Sequence, residues 1–138
     1  MGLTITIITL VVSTIILVFR FSNRSVNLSG NKPAYTALEK INQGATIIDV
    51  RTPMEYSTST FPGSINIPLD QLASRMSSLN KTKPIVVFCA SGGRSASARD
   101  ILIRSGFSDV VNAGGLNDLK FASANPIQNK INTVSNQN

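Results

Sequence analysis

Ile85-Val86-Val87-Phe88-Cys89-Ala90-Ser91-Gly92-Gly93-Arg94-Ser95 is the stretch that decides how this chain is read. An apolar, β-branched run suits a strand buried on both faces. The run ends on a cysteine, a small-residue loop with two glycines follows, and Arg94 opens a segment with helical patterning. A strand, tight loop and helix in that order bring a thiol to a helix N-terminus. There, unpaired N–H groups and the positive end of the helix dipole favour thiolate over thiol. Glycines in the loop allow successive N–H groups to turn toward one anion, and the planar guanidinium of Arg94 adds positive charge. Cys89 is therefore the candidate nucleophile, with Ala90, Ser91, Gly92, Gly93, Arg94 and Ser95 as the candidate substrate-binding loop.

Working outward, the same alternation recurs. Pro33 to Gln43 reads as a helix stopped by Gly44, and Ala45 to Val50 as a buried strand. Leu69, Leu72, Ala73, Met76 and Leu79 recur at helical spacing and predict one amphipathic helix. Residues 94–105 predict a helix closed by Gly106, residues 109–112 a further strand, Gly114-Gly115 a turn, and Leu116 to Ala122 a last short helix. Alternating strands and helices predict an α/β fold with a mostly parallel sheet and helices on both faces. Ligands of such sheets lie beyond the carboxyl ends of the strands. Asp49, Cys89 and Asn112 all fall at such ends in this reading, and Asp49 and Arg51 are taken as residues supporting the site. Arg51 and Glu55, four positions apart, suit helix caps and surface ion pairs.

Composition excludes several chemistries. The chain of 138 residues has no histidine and one cysteine. It can build no Cys–His dyad, serine triad, histidine metal site, internal disulfide or CxxC pair. No metal and no cofactor is expected. The formal charge is +6. Residues 33–121 hold nine Lys/Arg against all seven acids, a net of +2, and Arg20, Arg24, Lys32 and Lys130 supply the rest. A nucleic-acid partner is not expected from that distribution.

Gly2 to Phe19 is uncharged and rich in Ile, Leu, Val and Thr. As a helix it would be about 27 Å long, close to the thickness of a bilayer core. No basic residue precedes it and no A-x-A-like site follows, whereas Arg20, Arg24 and Lys32 do follow. This favours an uncleaved anchor over a signal peptide and places the soluble part in the cytoplasm. A cleaved segment would instead place it outside. The expected organisation is a transmembrane anchor over 1–21, a polar linker over 22–32, one domain over 33–122 and a flexible tail over 123–138.

Four stretches in register resemble single-domain rhodaneses, the thiosulfate and related sulfurtransferases. They are Cys89-x-x-Gly92-x-Arg94, Asp49-Val50-Arg51 with Glu55-Tyr56, Pro62-Gly63-Ser64-Ile65-Asn66-Ile67-Pro68, and Asn112-Ala113-Gly114-Gly115. The resemblance covers about residues 33–122. It implies a rhodanese-like fold and a persulfide on Cys89, loaded by thiosulfate, a persulfide or a polysulfide and discharged to cyanide or a thiol. The Cys-x4-Arg loop is one residue shorter than the Cys-x5-Arg loop of related phosphatases and arsenate reductases, which disfavours a tetrahedral oxyanion. Ser59-Thr60-Phe61 stands where the family often has Gly-His-Ile, and the loop lacks the extra basic residues of thiosulfate specialists. The alternative is a non-catalytic module of the same fold that binds a partner or senses sulfide at the membrane.

Overall fold

The computed structural model describes residues 32–125, together with Ser13 and Thr14. Along 32–125 the order is α1 (Lys32–Asn42), β1 (Thr46–Asp49), α2 (Pro53–Thr58), β2 (Ile65–Asn66), a broken helical stretch, β3 (Ile85–Cys89), α4 (Gly93–Arg104), β4 (Val110–Gly115) and α5 (Leu116–Ala124). Four strands form one sheet in the order β2-β1-β3-β4, and every pairing is parallel. The expected α/β architecture is present. The proposed anchor lies outside the described residues apart from Ser13 and Thr14, and no helix among the described residues is long and apolar enough to cross a membrane. The tail beyond Asn125 also lies outside them; Ser123 and Ala124 are the last residues of α5.

β3 is central and buried throughout, and its alternate residues feed two cores. Ile85, Val87 and Cys89 join Ile48, Val50, Leu72, Ala98, Leu102 and Phe107 on one face. Val86 and Phe88 join Ala37, Ile47, Phe61, Ala113, Leu116 and Leu119 on the other. This two-sided burial explains the unbroken apolar run, since no position on the strand faces water. The cysteine thus belongs to the face covered by α4.

The structure departs from the sequence reading at four points. The stretch after Pro68 is not one helix but a 3-10 turn (Leu69–Gln71), α3 (Leu72–Arg75) and a second 3-10 turn (Met76–Ser78). Ser74 and Ser78 each donate to the carbonyl three residues back, at 2.9 and 2.8 Å, which competes with helical bonding. Leu72, Leu69, Met76 and Leu79 still reach the core, but Ala73 is exposed. Second, Ile65–Asn66 is an edge strand, too short and too exposed to show a pattern. Third, Asn112 lies inside β4 rather than at its end, and Gly114-Gly115 closes the strand rather than forming a separate turn. Fourth, Arg51 is buried and makes no surface ion pair, whereas Glu55 sits in the capping box of α2 as expected. Thr52 is extended (φ −63°, ψ 156°) and caps α2, so Arg51 lies outside the helix and shares no helical face with Glu55.

The β3–β4 ladder loses step between Val87 and Cys89, so that Cys89 pairs with Gly115. A Cβ on Gly115 would lie 2.6 Å from the Ala90 carbonyl oxygen and 3.0 Å from Asp118 Oδ2. One on Gly93 would meet nothing within 4 Å. Gly115→Ala is therefore expected to lower stability by about 1–3 kcal/mol through overpacking, while Gly93→Ala changes it by less than about 0.5 kcal/mol. Urea denaturation checks both, and equal effects would contradict the packing at Gly115.

Candidate active site

Cys89 is the last residue of β3, and the chain leaves it through the exposed Ala90 and Ser91 to Gly92, which adopts φ +101°. That left-handed angle is open to glycine and costly for residues with a Cβ. It aims the Gly92 N–H back at the thiol, 3.0 Å from Sγ, just before α4 begins. Ser95, fully buried on the first turn of α4, places its hydroxyl 3.5 Å from the same sulfur. The residue Cys89 is only 1% exposed. Burial pushes the thiol up, but the Ser95 hydroxyl and the backbone N–H groups of Ser95, Ser91 and Gly92 outweigh it and hold the thiol below its ordinary value. No histidine is involved; one hydroxyl and three backbone N–H groups do this work.

The Ser95 hydroxyl has one proton and several acceptors. It lies 2.7 Å from Asn112 Oδ1, 3.0 Å from the Gly92 carbonyl and 3.4 Å from the Gly114 carbonyl. Asn112 Oδ1 also accepts from the Gly114 N–H at 2.9 Å, and Asn112 Nδ2 donates to the Gly92 carbonyl at 3.4 Å. Asn112 therefore ties β4 to the loop and competes with Sγ for the Ser95 proton. The competing acceptor is the nearer, so one hydroxyl proton is shared between Asn112 Oδ1 and Sγ.

Arg94 is not a free fork of donors. Its Nη1 and Nη2 donate to Glu55 Oε2 and Oε1, each at 2.8 Å, across 39 positions of sequence. The Glu55 carboxylate also accepts from the Thr52 N–H and hydroxyl at 3.0 and 2.9 Å. Arg94 and then the Thr52 donors hold Glu55 far below the usual carboxylate range, and Glu55 in turn raises Arg94. Sequence spacing alone does not reveal this pair; the capping signature Thr52-x-x-Glu55 is the one signal that fixes where the carboxylate sits.

Asp49 and Arg51 do not touch the thiol. They form a buried ion pair, 0% and 7% exposed, with Arg51 Nε and Nη2 on the Asp49 carboxylate at 2.6–3.1 Å. Arg51 also donates to the Ser59 carbonyl at 2.6 Å, and its guanidinium lies 5.9 Å from the Phe88 ring centroid. Asp49 and the side-chain hydrogen bond between them raise Arg51. Thr60, at the position where a histidine is frequent in the resembling family, donates to Asp49 Oδ2 at 2.8 Å. These bonds fasten the segment carrying α2, and with it Glu55, to the end of β1. Among the described residues no cluster of His, Cys, Asp and Glu could hold a metal ion.

Comparison with known proteins bears on the same region. The sequence model described as "Rhodanese-like domain" matches residues 33–121. Thiosulfate sulfurtransferase PspE of Escherichia coli K12 is 39% identical over 74 residues, covering 52% of this chain and 71% of that protein. Thiosulfate sulfurtransferase GlpE of Pseudomonas syringae pv. syringae is 36% identical over 73 residues, covering 53% and 69%. Among solved structures, a rhodanese with anions from E. coli superimposes with a TM-score of 0.52 at 38% identity, covering 54% of this chain and 89% of that one.

Loss of the Ser95 hydroxyl tests the division of labour at the sulfur. Ser95→Ala is expected to move the pH midpoint of Cys89 alkylation upward, and to leave it below that of an unstructured cysteine peptide because the loop N–H groups remain. A shift that carries the midpoint to that of an unstructured cysteine peptide would contradict a thiolate held by backbone amides.

Proposed function

This chain belongs to the rhodanese family and is a sulfurtransferase of that type, and we propose that Cys89 is its sulfur carrier. The observation that carries the reading is the turn of N–H groups at Sγ, with Gly92 N at 3.0 Å, around a thiol held below its ordinary value. In the first half-reaction the Cys89 thiolate attacks the outer sulfur of the donor. For thiosulfate, the S–S bond breaks, its electron pair leaves on sulfite, and Cys89 becomes a persulfide anion. In the second, cyanide or a thiolate attacks the terminal sulfur, takes it as thiocyanate or a new persulfide, and returns the Cys89 thiolate. Each step is nucleophilic substitution at sulfur, and ping-pong kinetics follow. Acting as the thiolate, Cys89 needs no general base in either step, which suits a chain without histidine.

The loop amides serve the persulfide as they serve the thiolate, because both carry one negative charge at the mouth of the same turn. Ala90, Ser91, Gly92, Gly93, Arg94 and Ser95 form this substrate-binding loop, while Asp49 and Arg51 position it from behind. The membrane part of the reading rests on sequence alone: the uncharged run Gly2 to Phe19 followed by Arg20 and Arg24 supports a single-pass anchor with the domain on the cytoplasmic side.

Incubation with thiosulfate or an inorganic polysulfide is expected to add one sulfur atom to the intact protein, and Cys89→Ser to abolish the addition. Intact-mass spectrometry checks this, and absence of the adduct with every donor would refute sulfur transfer and favour a binding module. Fractionation of the full chain is expected to recover it in membranes and to release it with detergent but not with high salt or carbonate. Recovery in the soluble fraction would refute the anchor.

A further inference from the structure

The charge balance around the loop is unusual for a site that is to receive an anion. Three guanidinium groups lie at this end of the sheet; Arg75 donates to the Asn66 carbonyl, and the two nearest the loop are each matched by a carboxylate. Arg51 is taken up by Asp49 in the interior. Arg94, the one cationic side chain in the loop from Cys89 to Ser95, is taken up at both Nη atoms by Glu55. The Arg94–Glu55 pair is about a third exposed, at the surface rim of the loop. Thr52 fixes the carboxylate through two further donors, so Glu55 is held in place rather than swinging freely. With the thiolate ionised, the group of Arg94, Glu55 and Cys89 carries a net charge of −1.

We propose that Glu55 is a specificity-determining residue, which cancels the charge of Arg94 and so biases the site against dianionic sulfur donors and toward donors of lower charge, such as persulfides and organic thiosulfonates. The inference rests on the sulfur-transfer reading and adds to it the class of donor. Thiosulfate brings two negative charges to a site that already carries one. A monoanion meets half that repulsion, and a bidentate pair already formed leaves Arg94 little incentive to rebind. Glu55 touches neither the sulfur nor the donor in this arrangement; it acts through Arg94 and is a positioning residue.

Thiosulfate and methanethiosulfonate make a matched pair of probes, since both present one transferable sulfur on a sulfonyl group and differ by one charge. The ratio of kcat/KM for thiosulfate to that for methanethiosulfonate is expected to rise roughly tenfold in Glu55→Gln, through KM for thiosulfate, and to fall again with added salt. Glu55→Asp, which keeps the charge, should hold the wild-type ratio even if it destabilises the loop. Adding Arg94→Gln to Glu55→Gln should erase the gain. An unchanged ratio in Glu55→Gln, an equal rise in Glu55→Asp, or a wild-type preference for thiosulfate would each overturn the proposal. Calorimetric binding of the two anions to Cys89→Ser, with and without Glu55→Gln, reads the same charge preference without turnover. A Glu55 effect on binding there, together with no turnover of either donor by the unsubstituted protein, would count against sulfur transfer alone; no effect on binding would count against Glu55.

Discussion

The left-handed turn at Gly92 is the constraint on which the site depends. It is what converts a strand end into a ring of N–H groups facing one sulfur, with Gly92 N at 3.0 Å. Its neighbours are built to permit it. Gly114 and Gly115 on β4 leave space for the loop, with Gly114 Cα 3.5 Å from where a Gly92 Cβ would stand and the Ala90 carbonyl pressed against Gly115. The slip in the β3–β4 register puts Gly115 opposite Cys89, so the glycine pair of one strand and the cysteine of the next are parts of one joint. Burial by itself would raise the thiol; the Ser95 hydroxyl and the N–H groups of the turn together reverse the sign.

Around that joint the chain spends its polar side chains on fixing geometry. Asn112 bonds to the Ser95 hydroxyl and to the Gly114 N–H, while Asp49 and Arg51 lock the segment that follows β1. Glu55 then reaches from that segment to Arg94. Sheet, loop and α2 are thus coupled by contacts distant in sequence. The consequence is a site whose negative charge is met by the Ser95 hydroxyl, by backbone dipoles and by an Arg94 that is shared with Glu55. Such dipoles are fixed by the fold and need no proton to be in place, so they act on thiolate and persulfide alike.

Much of the architecture was legible in the sequence because it rests on local patterns. The runs ending at Asp49 and Cys89 are rich in Ile and Val because β1 and β3 are covered on both faces, and the loop glycines announce a turn that other residues resist. What escaped depends on pairing over distance or on side-chain competition. The Glu55–Arg94 pair spans 39 positions, and periodicity says nothing about it. Ser74 and Ser78 break a helix whose apolar spacing looks continuous. Arg51 turns back to Asp49 because Thr52 is an extended cap, so the four-residue spacing to Glu55 never becomes a helical one. β2 offers two residues with one side exposed, too little for any alternation.

The account stands on the ionisation of one sulfur by backbone amides, and a chain with a single cysteine allows that to be read without ambiguity. A pH titration of the carbon-13 resonance of the Cys89 Cβ, in protein labelled at cysteine, follows the thiol directly. The midpoint is expected below that of an unperturbed thiol. A midpoint at or above it would mean that burial wins over the loop, and would contradict the central claim.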